Sequence, residues 1–145
     1  MSAARSFESS SRIEAAPDQV WPVLTDVAAW PSWNSGVDKV DGEFALGAKL
    51  TITVAANPGR AFPVTVKQID APRLMVFRGG MPLGLFVGER TYALTPDGEG
   101  CLFTMREQYT GLLAGKITKS IPDLNQSFQQ VADGLAQQVQ QLRSG

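Results

Sequence analysis

The large apolar residues Leu124, Phe128, Val131, Leu135, Val139 and Leu142 advance by steps of 4, 3, 4, 4 and 3, the period of an α-helix. Gln126, Gln129, Gln130, Asp133, Gln137, Gln138, Gln140 and Gln141 fall between them. The stretch from Ile121 to Leu142 therefore predicts one helix with an apolar stripe and a solvated face. A lone helix has no surface on which to bury that stripe, so the preceding residues must supply it. Their pattern has a different period. Phe7, Ser9, Ser11 and Ile13 alternate with Glu8, Ser10 and Arg12, as in a strand covered on one face.

Two short helices follow this first strand. Pro17 suits a first helical position because its missing N–H is not needed there, and Val20, Trp21 and Leu24 then face inward. Pro22 should kink or shorten that helix. Asp26 can cap a second one carrying Val27 and Trp30, which Pro31 bends or ends. From Val37 to Tyr109 the pattern is strand and turn. Strands are expected at Val37–Phe44, Lys49–Val54, Phe62–Asp70, Arg73–Gly79, Leu85–Leu94 and Cys101–Tyr109. Between them lie Leu46-Gly47, Asn57-Pro58-Gly59, Ala71-Pro72, Gly79-Gly80-Met81-Pro82 and Pro96-Asp97-Gly98. Short turns between consecutive strands imply an antiparallel meander. The expected class is α+β: a seven-stranded curved antiparallel sheet wrapped around a long C-terminal helix, with two short helices after strand 1. No repeat or linker divides residues 1–145, so one domain is expected.

Composition narrows the chemistry. The 145 residues include no histidine. That excludes Ser-His and Cys-His nucleophile pairs, a histidine general base and His-ligated zinc. Thirteen basic and fourteen acidic residues give a net charge of −1, which offers no field for gathering nucleic acid. No apolar run approaches the roughly 18 residues needed to span a bilayer, so stable membrane insertion is not expected. The N-terminus lacks a signal-peptide pattern, and the single cysteine, Cys101, fits a reducing, cytoplasmic setting. Asn125-Gln126-Ser127 therefore carries no meaning as a glycosylation site. No metal and no cofactor are expected: Asp38, Asp41 and Glu43 lack calcium-loop spacing. Gly111-Leu112-Leu113-Ala114-Gly115-Lys116 is one residue short of a phosphate loop, and Ile117 replaces its Ser or Thr.

Particular residues resemble a known family. Ala16-Pro17-Asp18-Gln19-Val20-Trp21, then Leu24-Thr25-Asp26 and Trp30-Pro31-Ser32-Trp33-Asn34, are similar to the N-terminal signature of the START-like, or SRPBCC, superfamily of polyketide cyclase/dehydrase type. Ala71-Pro72-Arg73-Leu74, Gly88 to Leu94 and Arg106 to Leu112 agree with it. The resemblance covers nearly the whole chain and implies the helix-grip fold, a sheet wrapping the terminal helix around a cavity. Its members include ligand carriers, receptors, cyclases and accessory proteins. Many of them carry His where this chain has Arg90, so a role for that imidazole does not transfer.

Alternation divides the later strands into two faces. Phe86, Arg90, Tyr92, Leu94, Phe103, Met105, Glu107 and Tyr109 form the bulkier face, which is assigned to the helix side with Met75, Phe77, Leu50, Ile52 and Val54. If the hairpin closes at Asp97-Gly98, Arg90 and Glu107 lie opposite or one diagonal apart. The pair has two readings: a polar anchor for a ligand, assisted by Tyr92 and Tyr109, or a structural ion pair near the open end of the sheet. The candidate lining is Trp33, Ile52, Met75, Phe77, Phe86, Arg90, Tyr92, Met105, Glu107, Tyr109, Leu124 and Phe128. Trp21 is read as packing. Gly79 to Gly84 reads as a lid over the opening or a plain hairpin connection. Leu112 to Ile121, with Lys116 and Lys119, reads as a short helix or a brief contact with anionic lipid. The expected function is binding of a small hydrophobic or amphipathic ligand. The alternatives are a cyclase/dehydrase-like enzyme acting through Arg90, Glu107 and Tyr109, and an accessory module that binds another protein. Oligomeric state is left open.

Overall fold

A computed structural model describes residues 5–33, 35–55, 61–120 and 123–144. The expected Asn57-Pro58-Gly59 turn, Asn34, Pro122 and a helix start at Ile121 lie outside the described residues. Seven strands form one sheet: β1 Arg5–Ile13, β2 Val37–Asp41, β3 Lys49–Val54, β4 Ala61–Asp70, β5 Leu74–Met81, β6 Phe86–Asp97 and β7 Gly100–Thr110. Their order is β1-β7-β6-β5-β4-β3-β2, and every pairing is antiparallel. The meander from β2 to β7 is as expected from the short turns, and β1 closes on β7, bringing the two ends of the chain together. Between β1 and β2 lie helix α1, Pro17–Thr25, and a 3-10 helix, Val27–Ser32; a short α2, Ala114–Ile117, precedes the long α3, Asn125–Ser144.

The outer strands solve different problems. A free sheet edge presents unpaired backbone groups. β2 is short, carries charged Lys39 and Asp41, and is bulged against β3. At the other edge α3 lies along β1. The Ser9 and Ser11 hydroxyls donate to the carbonyls of Phe128 (2.9 Å) and Ala132 (2.8 Å), while Gln129 Nε2 donates to the Ser10 carbonyl (2.9 Å). Small side chains on the inward positions of β1 thus let a helix backbone come within hydrogen-bonding distance of a strand side chain. Asp123 Oδ1 accepts the Asn125 N–H at 2.9 Å just ahead of α3, supplying a partner to one of the N–H groups at the helix start.

The core lies between the sheet and its helices. Val20 and Leu24 of α1, Leu50, Ile52, Val66, Met75 and Phe77 of the central strands, and Phe128, Ala132, Leu135 and Val139 of α3 are buried together. Pro22 lies inside α1, which stops soon after it at Thr25; the carbonyl it leaves without a partner belongs to exposed Asp18, where solvent reaches it. Two sequence expectations are corrected. Asp26 precedes the 3-10 helix without a side-chain cap, and its carbonyl accepts the Ala29 N–H instead. Leu142, in the last turn of α3, leaves the apolar stripe at 59% exposed, and Ala132 is a fully buried contact. Strand ends also shift: β2 stops at Asp41, β5 spans Leu74–Met81, and β6 continues to Asp97.

Truncating α3 side chains separates these roles. Leu135→Ala is expected to cost about 2–5 kcal/mol and Leu142→Ala less than about 0.5 kcal/mol in urea unfolding. Ser9→Ala should fall between them, near 1 kcal/mol, from one lost hydrogen bond. Equal losses at Leu135 and Leu142 would contradict this placement of α3.

Candidate functional site

The β6–β7 hairpin sets the geometry. Asp97 pairs with Gly100, leaving a two-residue turn in which Gly98 takes φ +62°, the left-handed conformation such turns require. Counting back along that register puts Arg90 directly opposite Glu107. Arg90 Nη2 lies 2.6 Å from Glu107 Oε2, and the Tyr109 hydroxyl donates to the same oxygen at 3.1 Å. Arg90 Cζ also sits 4.7 Å from the centroid of the Phe128 ring on α3, a cation–π contact across the sheet–helix gap. Phe86 stacks on Tyr109 at 5.5 Å and 11°, and Phe7 meets both Tyr109 and Phe128 edge-on.

Gly88 completes this group, and the sequence reading passed over it. It pairs with Tyr109, and a Cβ there would stand 3.2 Å from Tyr109 Cε1 and 3.3 Å from Glu107 Oε1. The missing side chain gives the phenol and the carboxylate their room. A glycine inside an otherwise bulky strand was the available signal.

Charge and burial oppose one another here. Burial disfavours the Arg90 guanidinium, but Glu107 and then Tyr92 outweigh it and hold the group above its ordinary value. Burial raises the Tyr92 phenol, with Arg90 working against it; burial and then Glu107 raise Tyr109. The side chains of Arg90 and Glu107 are 26% and 13% exposed, so water partly screens their attraction. Arg90 Nε is nonetheless buried without a hydrogen-bond partner among the described residues, as is Trp33 Nε1.

The inner face is graded along the strands. Ile52, Met75, Phe77, Tyr92 and Met105 are buried and belong to the core; Phe77 and Tyr92 lie 5.3 Å apart, and Trp30 stacks on Phe77 at 6.3 Å. Toward the other end Phe86, Arg90, Glu107, Trp33 and Leu124 are half-buried, so the face opens there. The structure thus brings Phe86, Arg90, Glu107, Tyr109 and Phe128 together and seats the other five expected lining residues of the strands deeper. Trp21 is half-buried against the core. Asp38, Asp41 and Glu43 are exposed. The stretch read as a lid or a plain hairpin connection continues β5 to Met81 and turns through Pro82–Gly84 into β6.

These two phenols are the only tyrosines in the chain, and both are held above the ordinary value of 10.0. Their protonated forms therefore add stability that is complete below that value and is lost as pH rises through the higher folded values. An absorbance titration of the native protein should show no phenolate appearing near pH 10.0, and its eventual appearance should coincide with loss of tertiary circular dichroism. A tyrosine titrating near its ordinary value in the folded protein would contradict the burial described.

The family of polyketide cyclase / dehydrase and lipid transport proteins matches residues 4–140. No curated protein matches the chain in sequence. Solved structures share its fold at low identity. A norcoclaurine synthase point mutant from Thalictrum flavum, in complex with a transition-state analogue, superposes with a TM-score of 0.73 at 16% identity, covering 96% of each chain. A hypothetical protein from Helicobacter pylori gives 0.75 at 13%, covering 94% of this chain and 89% of that one. A START superfamily protein from Mycobacterium smegmatis gives 0.70 at 14%, covering 94% and 98%. The expected helix-grip architecture, shared with the START superfamily protein, is thereby shown, and the chain belongs to the polyketide cyclase / dehydrase and lipid transport family.

Proposed function

We propose that the chain binds a small hydrophobic or amphipathic molecule at the open end of its inner face, with Arg90 directed at an acceptor oxygen of the guest. The observation that carries this reading is Arg90 Nε, a buried donor with no acceptor among the described residues. Leaving such a group unsatisfied costs about 1–3 kcal/mol, which a carbonyl, enolate or carboxylate oxygen would recover. Phe86, Tyr109 and Phe128 offer aromatic surface around it for an apolar body. Glu107 balances the guanidinium, so the site favours an oriented dipole or a weakly charged head over a strong anion.

A second reading, cyclase- or dehydrase-like turnover, is favoured by one contact. Tyr109 donates to Glu107 beside Arg90, which assembles a carboxylate, a phenol and a carbonyl-polarising cation on one patch. One neighbour of the same fold, norcoclaurine synthase from Thalictrum flavum, is known in complex with dopamine and hydroxybenzaldehyde, so this architecture accommodates aromatic amphiphiles in at least one other protein. The two readings separate on stoichiometry: a carrier saturates at one guest per chain, whereas a catalyst consumes its substrate and slows when Glu107 is neutralised.

Native mass spectrometry of freshly purified protein, followed by solvent extraction, asks whether a guest co-purifies. Titration with the fluorophore 6-propionyl-2-(dimethylamino)naphthalene, an uncharged aromatic body with one ketone acceptor, then tests Arg90. The Arg90→Met/Glu107→Leu double variant removes both charges and is expected to keep near-native stability, since replacing an ion pair with apolar groups is often neutral. Its affinity for the probe should still fall about tenfold, the loss of one charge-assisted hydrogen bond. Unchanged affinity, or binding and melting temperature lost in proportion, would reject a ligand role for Arg90.

A further inference from the structure

The exterior of the sheet's open end has a feature that the inner face does not explain. Leu83, in the β5–β6 turn, is 94% exposed, and Leu112, just after β7, is 85% exposed. Met81 and Leu113 add partly exposed apolar surface beside them. The two loops are joined: Leu113 N–H donates to the Leu85 carbonyl at 2.8 Å. Gly111 also sits so close that a Cβ there would be 2.6 Å from the carbonyl oxygens of both Gly84 and Leu85. The leucines therefore stand on one braced rim.

Leu83 is also the one non-glycine residue with positive φ among the described residues, at 61°. A turn that only had to reverse the chain would place Gly or Asn there. A large apolar side chain in a conformation it resists, pointing into water, is compensated by nothing else in the fold.

The charge around the rim has one sign in excess. Lys67 and Arg78 line a groove of about 330 Å3 on the outer face of β4–β6, bounded at its far side by Met81 and Leu83. Lys116 and Lys119 follow Leu112 on the exposed side of α2 and the turn after it. None of these four cations forms an ion pair among the described residues. Glu89, level with Arg78 across the ladder, and Asp123, ahead of α3, reduce the excess without removing it. In a chain of net charge −1 this is a local concentration of positive charge.

We propose that this rim docks the protein on an anionic phospholipid bilayer, with Leu83 and Leu112 entering the interface and Lys67, Arg78, Lys116 and Lys119 held at the headgroups. Isolated leucine knobs ringed by lysine and arginine suit a fluid, negatively charged surface better than a rigid protein face, which needs a broad complementary area. Docking this way presents the half-buried end of the inner face toward the membrane. The inference does not rest on what the Arg90 patch binds.

The test is sedimentation with vesicles of phosphatidylglycerol and phosphatidylcholine in equal parts, against vesicles of phosphatidylcholine alone. The wild-type chain should sediment with the anionic vesicles at low salt, and much less with the neutral ones or at high salt. Leu83→Asp and Leu112→Asp should each lower partitioning about tenfold, from loss of one buried leucine and entry of a charge. Lys116→Gln and Lys119→Gln should each lower it about fivefold. Leu142→Asp, at a leucine 59% exposed in the last turn of α3, should change nothing. All these positions are on the surface, so matching melting curves keep the comparison clean. Failure to bind anionic vesicles, equal binding to both kinds, or rim variants that sediment like wild type would overturn the proposal. So would leucine variants that abolish self-association while leaving vesicle binding intact, which would assign the rim to a second copy of the chain.

Discussion

The seating of α3 against β1 is the contact on which the other features depend. β1 is the first strand in sequence and α3 the last element, so this contact spans the whole chain. Its hydrogen bonds join residues 119 and 121 positions apart. Two serines make it possible, because a hydroxyl is small enough to let the helix approach and polar enough to bond when it does. Apolar residues at both positions would push the helix outward and loosen its grip on Phe128, whose ring covers Arg90. The edge of the sheet is closed by the same contact, through Gln129 and the Ser10 carbonyl.

The site is a consequence of that closure combined with hairpin register. A slip of one residue between β6 and β7 would turn Glu107 outward and leave Arg90 facing an apolar interior alone. The two-residue turn at Gly98 prevents that slip. Within the correct register the carboxylate receives two donors, the guanidinium and the Tyr109 phenol, and Gly88 leaves the space for both. Arg90 still retains a buried N–H, at Nε, without an acceptor among the described residues, while its carboxylate partner is well supplied.

Much of this was legible from residue order. Strand-and-turn patterning identified all seven strands, alternation split β6 and β7 into two faces of which the bulkier was assigned inward, and the short turns implied the meander. The turn position placed Arg90 and Glu107 opposite or one diagonal apart. Other features were hidden for physical reasons. Hydrophobic periodicity weighs large side chains, so it credited Leu142, which is exposed in the last turn of α3, and overlooked Ala132 and Gly88, whose importance lies in their smallness. Pro22 was read by its intrinsic cost, which is smaller where the deprived carbonyl faces solvent. The Gly79 to Gly84 stretch could be read as a lid or as a plain hairpin connection, because apolar side chains sit there on a glycine-rich frame. Only tertiary contact reveals that it is braced by the loop after β7. The depth of each lining residue was not legible at all, since alternation gives a face and not a position along it.

Depth decides what the inner face can do. Near the hairpin turn, stacked aromatic rings and methionines fill the interior, and a guest there would have to displace side chains that are packed on every side, at the cost that overfilling a core entails. Toward the open end the same face carries half-buried side chains and, at Arg90, a donor without an acceptor among the described residues. Arg90 and Glu107 neutralise each other, so the inner patch itself adds little long-range field. Under the proposed reading, recognition would come from contact: desolvation against Phe86, Tyr109 and Phe128, followed by alignment of one acceptor with Arg90. A site of that kind gains most from meeting its guest at high local concentration, as apolar molecules are found in membranes and not in free water. If both proposals hold, the Arg90 patch and the basic, leucine-tipped rim at the same end of the sheet would in this sense be two halves of one physical arrangement.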